Sequence, residues 1–457
     1  MQNLSFQDAF FLRAESATCP CHVATLMILS PPKQAKQTYM RELVSLLGRI
    51  REVWPVFGKQ LSNPTSMKNL AWVEALDFEP KDHVLHYRLP DKGTMDDLLD
   101  LTARAHEHPL DRSRPLWQVH VIEGLSKGKF AVYFKVHHAL IDGVGGLRLI
   151  HEMFSHTPEG SLLSKPEHKH THRIHTEESA GQILKHAFHT LVKQSKAVPE
   201  ASSMLANFGL DLLKGKKDRP QLPFSAPHTL LNKELSSRRR FITCVLPLKN
   251  IKAIGKSYGG TVNDVLVAIF GAALKKYLSS LGKLPERSLD AGLPVSIKSQ
   301  HSAEGNQLSF IICPFATDED DPVERLKIII RATKKAKKDL SHMSPEASED
   351  LATMTMVPFL LMTLTHSSQK LPPVFNTIVS NVPGPRKKIY LEGSQLEHLY
   401  PMSIVTDGMG LNITIISYQK DLCIGITCAP GTEPNIESLG ILIKAAYKEL
   451  LNESEKV

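Results

Sequence analysis

Phe130-Ala131-Val132-Tyr133-Phe134-Lys135-Val136-His137-His138-Ala139-Leu140-Ile141-Asp142-Gly143 is the stretch on which the reading of the fold turns. From Phe130 to Val136 the residues alternate as a β-strand does and are rich in branched and aromatic types. Two histidines, a carboxylate and a glycine follow at once, so the strand ends in a loop equipped for chemistry. A neutral imidazole accepts protons near the working pH, because its unperturbed pKa is about 6.5. A hydroxyl group is far too weak an acid to ionise unaided, and it needs such a base during attack. Adjacent residues at a strand end point to opposite faces, so His137 and His138 rarely reach one metal ion together, although their type suits zinc. A pair of structural histidines, each with its hydrogen bonds satisfied, is the bland alternative. Asp142 lies too near in sequence to be assumed a triad partner; holding the loop by an ion pair or hydrogen bonds fits it better. Gly143 permits close backbone approach.

Outward from this loop, residues 1–155 mix amphipathic helices with short strands such as Val23 to Leu29, which is an α/β pattern. Composition changes over residues 156–237, where prolines, histidines and lysines cluster, as expected of a linker. Within it Ile183, Leu184, Ala187, Phe188, Leu191 and Val192 recur at helical spacing between basic residues. That helix either straps two domains together or rests on a membrane surface. A second α/β pattern fills residues 238–457. Strands are expected at Phe241 to Leu246, Leu308 to Pro314, Thr377 to Val382, Leu411 to Tyr418 and Leu422 to Cys428, and a helix from Asn263 to Tyr277. The apolar run Met354 to Leu364 contains Pro358 and is too short to span a bilayer; it reads as a buried helix or loop, or as a surface that dips into lipid.

The chain of 457 residues exceeds the roughly 250 to 300 at which one core stops growing, so two domains are expected. Apolar residues at 42% and charged ones at 22% are those of a globular protein, and the formal charge of +8 favours anionic partners. The basic residues lack interleaved aromatic platforms, which argues against nucleic acid. Six cysteines without paired Cys-x-x-Cys spacing read as reduced thiols of a cytoplasmic protein rather than a zinc site. The amino-terminal residues do not have the pattern of a secretory signal.

Further blocks extend the pattern in order along the chain: Leu4-Ser5, Asp8, Phe11-Leu12, Glu15 and Pro20-Cys21-His22-Val23; Pro109 to Trp117; Gly259 to Val265 with Asn263-Asp264; Pro294-Val295-Ser296; Gly305-Asn306-Gln307; and Ser380 to Pro385. With the H-H-x-x-x-D-G loop, they resemble the bacterial wax ester synthase/acyl-CoA:diacylglycerol acyltransferases, within the coenzyme A-dependent acyltransferase superfamily. Cys21 departs from the pattern, standing where a methionine is common.

The resemblance implies two α/β domains related to chloramphenicol acetyltransferase, joined by a helical linker, with a tunnel at their interface. It implies His138 as general base for transfer of a long-chain acyl group from acyl-CoA, a co-substrate, to a fatty alcohol or diacylglycerol, supported by His137, Asp142 and Gly143. No permanently bound cofactor and no metal are expected. A peripheral place at the inner face of the membrane or on a lipid droplet would suit such substrates. A related acyltransferase for a polyketide, glycolipid or short branched alcohol is the competing enzyme reading, and a non-catalytic lipid-binding protein the competing class. Trp117 reads as a core anchor or a substrate contact. Asn263 and Asp264 read as capping or interdomain groups, or Asn263 as an oxyanion donor. Gly146, with Gly145, either leaves volume for an acyl chain or starts the next helix.

Overall fold

Every residue of the strand Phe130–His137 is buried, because a sheet neighbour lies on each side and a packed layer on each face. The computed structural model describes residues 2–4, 6–65, 70–141, 143–164, 225–298, 306–342, 372–429 and 435–456. The strands in chain order are β1 (Gln2–Asn3), β2 (His22–Ser30), β3 (Lys59–Leu61), β4 (Ala71–Glu74), β5 (Val84–Gly93), β6 (Trp117–Leu125), β7 (Phe130–His137), β8 (Arg240–Pro247), β9 (Asp290–Lys298), β10 (Asn306–Pro314), β11 (Thr377–Val382), β12 (Tyr390–Leu391), β13 (Ser394–Met402), β14 (Leu411–Tyr418) and β15 (Asp421–Cys428). They form two six-stranded sheets, β12-β13-β2-β7-β6-β5 and β10-β9-β11-β14-β15-β8, and a small sheet β1-β4-β3. This is the expected mixed α/β architecture. The helix expected within residues 156–237, from Ile183 to Val192, and the Met354 to Leu364 segment lie outside the described residues.

In the first sheet β7 runs antiparallel to β2, with His22 opposite His137 and Leu29 opposite Phe130. It is also antiparallel to β6, where Trp117 lies opposite Val136. The two faces of β7 have different characters. Phe134 meets Phe57 and Trp117 on one, with ring centroids 5.6 and 6.3 Å apart. On the other, Tyr133 and Lys135 are hydrogen-bonded to His106 and Ala105 of the helix Met95–Glu107. That helix starts at a reciprocal capping box between Thr94 and Asp97, which satisfies backbone N–H groups that no intrahelical carbonyl can reach.

The outer strands of the first sheet, β12 and β13, come from the far end of the chain. β13 pairs antiparallel with β2, Leu399 opposite Met27 and Met402 opposite Ala24. Phe241, Ile416, Tyr418 and Cys423 join the same apolar core, so the two halves of the sequence share it. Close approach requires a glycine here: a Cβ at Gly425 on β15 would sit 1.8 Å from the carbonyl oxygen of Pro401 on β13. Polar ties reinforce the contact. Arg239 donates from its side chain to the Thr18 carbonyl at 2.6 Å and from its backbone to Glu107 at 2.9 Å.

In the second half the helix Val262–Ser280 is buried nearly all round, from Asp264 through Leu274. A helix apolar on every side belongs in a core or a bilayer. Here the helices Leu248–Ser257, Pro322–His342 and Leu439–Ser454 pack around it. No single helix among the described residues is long and apolar enough to cross a membrane. All six cysteines are buried thiols, and none is in a disulfide.

Candidate active site

His137 is the last residue of β7 and His138 the first beyond it, and the end of the strand sends them to different surroundings. His137 is fully buried. His138 is half-buried, and its ring stacks on Phe11 with centroids 4.0 Å apart and planes 28° apart. Phe11 packs in turn on a small apolar cluster of Ala14, Cys19, Cys21, Leu235 and Val405. Leu235 and Val405 lie far along the chain, so His138 sits one side chain from the seam between the halves.

The loop is held by its own backbone. The His138 N–H donates to the Cys21 carbonyl at 2.9 Å, and the N–H groups of Leu140 and Ile141 donate to the His137 carbonyl at 2.9 and 3.4 Å. The Ala139 N–H donates to Nδ1 of His137 at 3.0 Å. An Nδ1 that accepts carries no proton, so the neutral ring is protonated at Nε2. That Nε2 faces Oε1 of Glu15 at 3.4 Å, a distance for electrostatic attraction, without making a hydrogen bond. Ala139 and Leu140 are buried. Gly143 begins the helix Gly143–Met153 directly, so Gly145 and Gly146 fall in its first turns. At Gly146 an added Cβ would meet, among the described residues, Ile141 Cγ2 at 3.8 Å. Asp142 lies outside the described residues.

Glu15 ends the turn after the helix Phe6–Ala14, and its side chain is 4% exposed. Its Oε2 accepts from Nε and Nη2 of Arg112 at 3.1 and 3.0 Å, and its Oε1 from the Cys21 N–H at 3.2 Å. Burial works to raise the pKa of this carboxyl, but His137 and Arg112 outweigh it and hold the group below the usual carboxylate range. Arg112 also donates to the Leu12 carbonyl. Neither Glu15 nor Arg112 stands out by local spacing. Both lie within the ordered motif blocks, Glu15 in the opening one and Arg112 in Pro109 to Trp117, and that membership with their opposite charges is the signal the sequence offers.

Behind the loop lies a buried polar layer. Lys135 donates to the carbonyls of Ala105 and His108 at 2.8 and 3.0 Å, and burial pushes its ammonium down to about 8. His22 donates to the His106 carbonyl at 2.9 Å, and His106 is hydrogen-bonded to the Tyr133 hydroxyl at 2.6 Å. Burial drives both imidazoles well below their ordinary pKa, so they stay neutral. Among the described residues no three His, Cys, Asp or Glu side chains gather as a metal site requires.

The remaining motif residues lie elsewhere. Trp117 is fully buried in the first core; its indole N–H donates to the Phe57 carbonyl at 2.9 Å, and its ring stacks on His83 with centroids 4.6 Å apart. Asp264 is the reciprocal partner of the helix cap Thr261, accepting from its N–H at 2.7 Å and its hydroxyl at 2.8 Å. It also accepts from the Thr333 hydroxyl at 2.7 Å. Asn263 accepts from Nδ2 of Asn381 at 2.7 Å, which joins the Asn-Asp block to the Ser380 to Pro385 block.

The architecture is shared with solved acyltransferases. The trichothecene 15-O-acetyltransferase TRI3 of Fusarium sporotrichioides aligns over 98% of this chain and 94% of its own with a TM-score of 0.56, at 13% identity, a likeness of fold alone. A wax ester synthase/diacylglycerol acyltransferase from Marinobacter aquaeolei VT8 aligns over 100% of both chains with a TM-score of 0.79 at 30% identity. The O-acyltransferase WSD of Acinetobacter baylyi is 34% identical over 437 residues, 94% of this chain and 93% of that protein. Residues 4–266 match the wax ester synthase/diacylglycerol acyltransferase catalytic domain, and residues 304–451 match the C-terminal domain of that family. The chain belongs to the wax ester synthase/diacylglycerol acyltransferase family. It is an O-acyltransferase of lipid metabolism.

Proposed function

We propose that this enzyme transfers a long-chain acyl group from acyl-CoA to a fatty alcohol, forming a wax ester, or to diacylglycerol, forming triacylglycerol, with His138 as general base. The observation that carries the reading is the setting of His138: half-buried, pinned by its peptide N–H, and stacked on Phe11 beside the seam of the two halves. In the reaction the alcohol oxygen bonds to the thioester carbonyl carbon while His138 takes the hydroxyl proton. Collapse of the tetrahedral intermediate breaks the carbon–sulfur bond, and the imidazolium returns the proton to the departing thiolate. The products are an ester and free coenzyme A, and no acyl-enzyme is needed.

A tunnel along the seam would bring donor and acceptor to His138 from opposite sides, and Asp142 and Gly143 would shape its mouth. Apolar acceptors reside in membranes and droplets, and a formal charge of +8 draws the protein to anionic lipid. We therefore place the enzyme in the cytoplasm, peripheral to the inner membrane face or to a droplet surface.

The test is thiol release from a long-chain acyl-CoA, with a long-chain primary alcohol, with diacylglycerol and with neither, followed by identification of the lipid. Acceptor-dependent release that disappears in a folded His138→Ala variant is the expected result. No release with either acceptor would overturn the assignment, and ester formation only on short branched or glycolipid hydroxyls would replace it.

A further inference from the structure

We propose that Glu15 is a positioning residue for His138, acting through His137 and through the Cys21 peptide. The proposal rests on His138 being the base. Glu15 reaches the catalytic loop by two routes. Along the first, its Oε1 accepts the N–H of Cys21 at 3.2 Å, and the carbonyl of the same residue accepts the N–H of His138 at 2.9 Å. Along the second, Oε1 faces Nε2 of His137 at 3.4 Å, while Nδ1 of that ring accepts the N–H of Ala139 at 3.0 Å. His138 lies between these two anchors, one on its own N–H and one on the next.

The charge on Glu15 decides the second route. A carboxylate opposite Nε2 attracts the proton there, which leaves Nδ1 free of hydrogen and able to accept from Ala139. With the proton on Nδ1 instead, two N–H groups would oppose each other and the turn at Ala139 would open. Arg112 makes a buried carboxylate tolerable at this place: two guanidinium nitrogens contact Oε2, leaving Oε1 to the loop. The side chain of Arg112 is 23% exposed against 4% for Glu15, so the pair is oriented with its anionic end toward the catalytic loop.

The experiment compares wild type with Glu15→Gln, isosteric but uncharged, and Glu15→Asp, charged but shorter. Steady-state thiol release is combined with 15N spectra of histidine-labelled protein, in which His137 is assigned by difference against His137→Gln. A displaced base costs rate rather than binding, so in Glu15→Gln kcat should fall about 10- to 100-fold while KM for donor and acceptor changes less than about twofold. Glu15→Asp should recover part of the loss. His137 should be protonated at Nε2 in wild type, with the Nδ1–H tautomer growing in Glu15→Gln. Wild-type turnover in Glu15→Gln, or a loss confined to KM, would overturn the proposal. So would an Nδ1–H tautomer at His137 in the wild type, a result that does not depend on either Glu15 variant folding. If the wild type itself turned over no acceptor, the acyltransferase assignment would fail first, and the His137 spectrum alone would decide whether the carboxylate sets the tautomer.

Discussion

Replacing Gly425 by alanine tests whether the two halves behave as one packed unit. The added methyl would stand 1.8 Å from the Pro401 carbonyl oxygen and 2.9 Å from its carbon, both backbone atoms that no rotamer can move aside. To restore a carbon–oxygen contact of about 3.2 Å, β13 and β15 must separate by about 1.4 Å at this point. Overpacking of a close-packed interior costs about 1 to 3 kcal/mol where side chains can adjust. With backbone on both sides, the expected loss is at or above about 3 kcal/mol. All three tryptophans, Trp54, Trp72 and Trp117, are buried in the first half, so urea unfolding followed by their fluorescence reports on the sheet that β13 completes. Gly282→Ala is the control: among the described residues nothing lies within 4 Å of its Cβ position and its φ is +63°, so backbone strain of about 1 to 2 kcal/mol is expected. A Gly425→Ala protein less than about 1 kcal/mol below wild type would refute the argument that these strands are in rigid contact. Since β13 pairs with β2, which begins beside Cys21, the same variant should also lose transferase activity.

Two further predictions concern the second half. Thr261→Ala should destabilise by about 1 kcal/mol through loss of a helix cap. Asp264→Ala should cost more, because besides its bonds to the Thr261 cap it removes the buried 2.7 Å bond from the Thr333 hydroxyl, which keeps a longer one of 3.3 Å to the Ile330 carbonyl; urea midpoints in the reverse order would contradict that reading. Burial pushes the Asp290 carboxyl up to about 7, above its unfolded value of about 3.9, so folding favours its protonated form. Its contribution is present below about pH 4 and is lost as pH rises through about 7. Stability measured at pH 5 and pH 8 should therefore fall more in wild type than in Asp290→Asn, and parallel profiles would refute this.

Strand and helix positions were legible in the sequence wherever one local rule acted without a competitor. Thr377 to Val382 and Leu411 to Tyr418 form strands over those same residues. The helix expected from Asn263 to Tyr277 extends from Val262 to Ser280, longer at both ends because its cap is Thr261 and its apolar character continues to Leu278. β13 is not legible in the sequence, because Ser394 to Met402 mixes charged, amide, histidine and proline residues and makes no clean alternation. Its strand form comes from pairing with β2, more than three hundred residues away in sequence.

The sequence by itself determined the loop of His137 and His138, its place at the end of a buried strand, the mixed α/β class and, through ordered motifs, the family. These are features of residue type and short spacing, which backbone geometry converts directly into local structure. Tertiary structure alone decided that the last strands of the chain complete the first sheet, that Gly425 lets the two halves touch, and that Glu15, Arg112 and His137 converge. Glu15 and Arg112 are 97 residues apart. Contacts at such separations are chosen by which faces can be buried together and which charges must be neutralised once inside, and no short spacing in the chain encodes that choice.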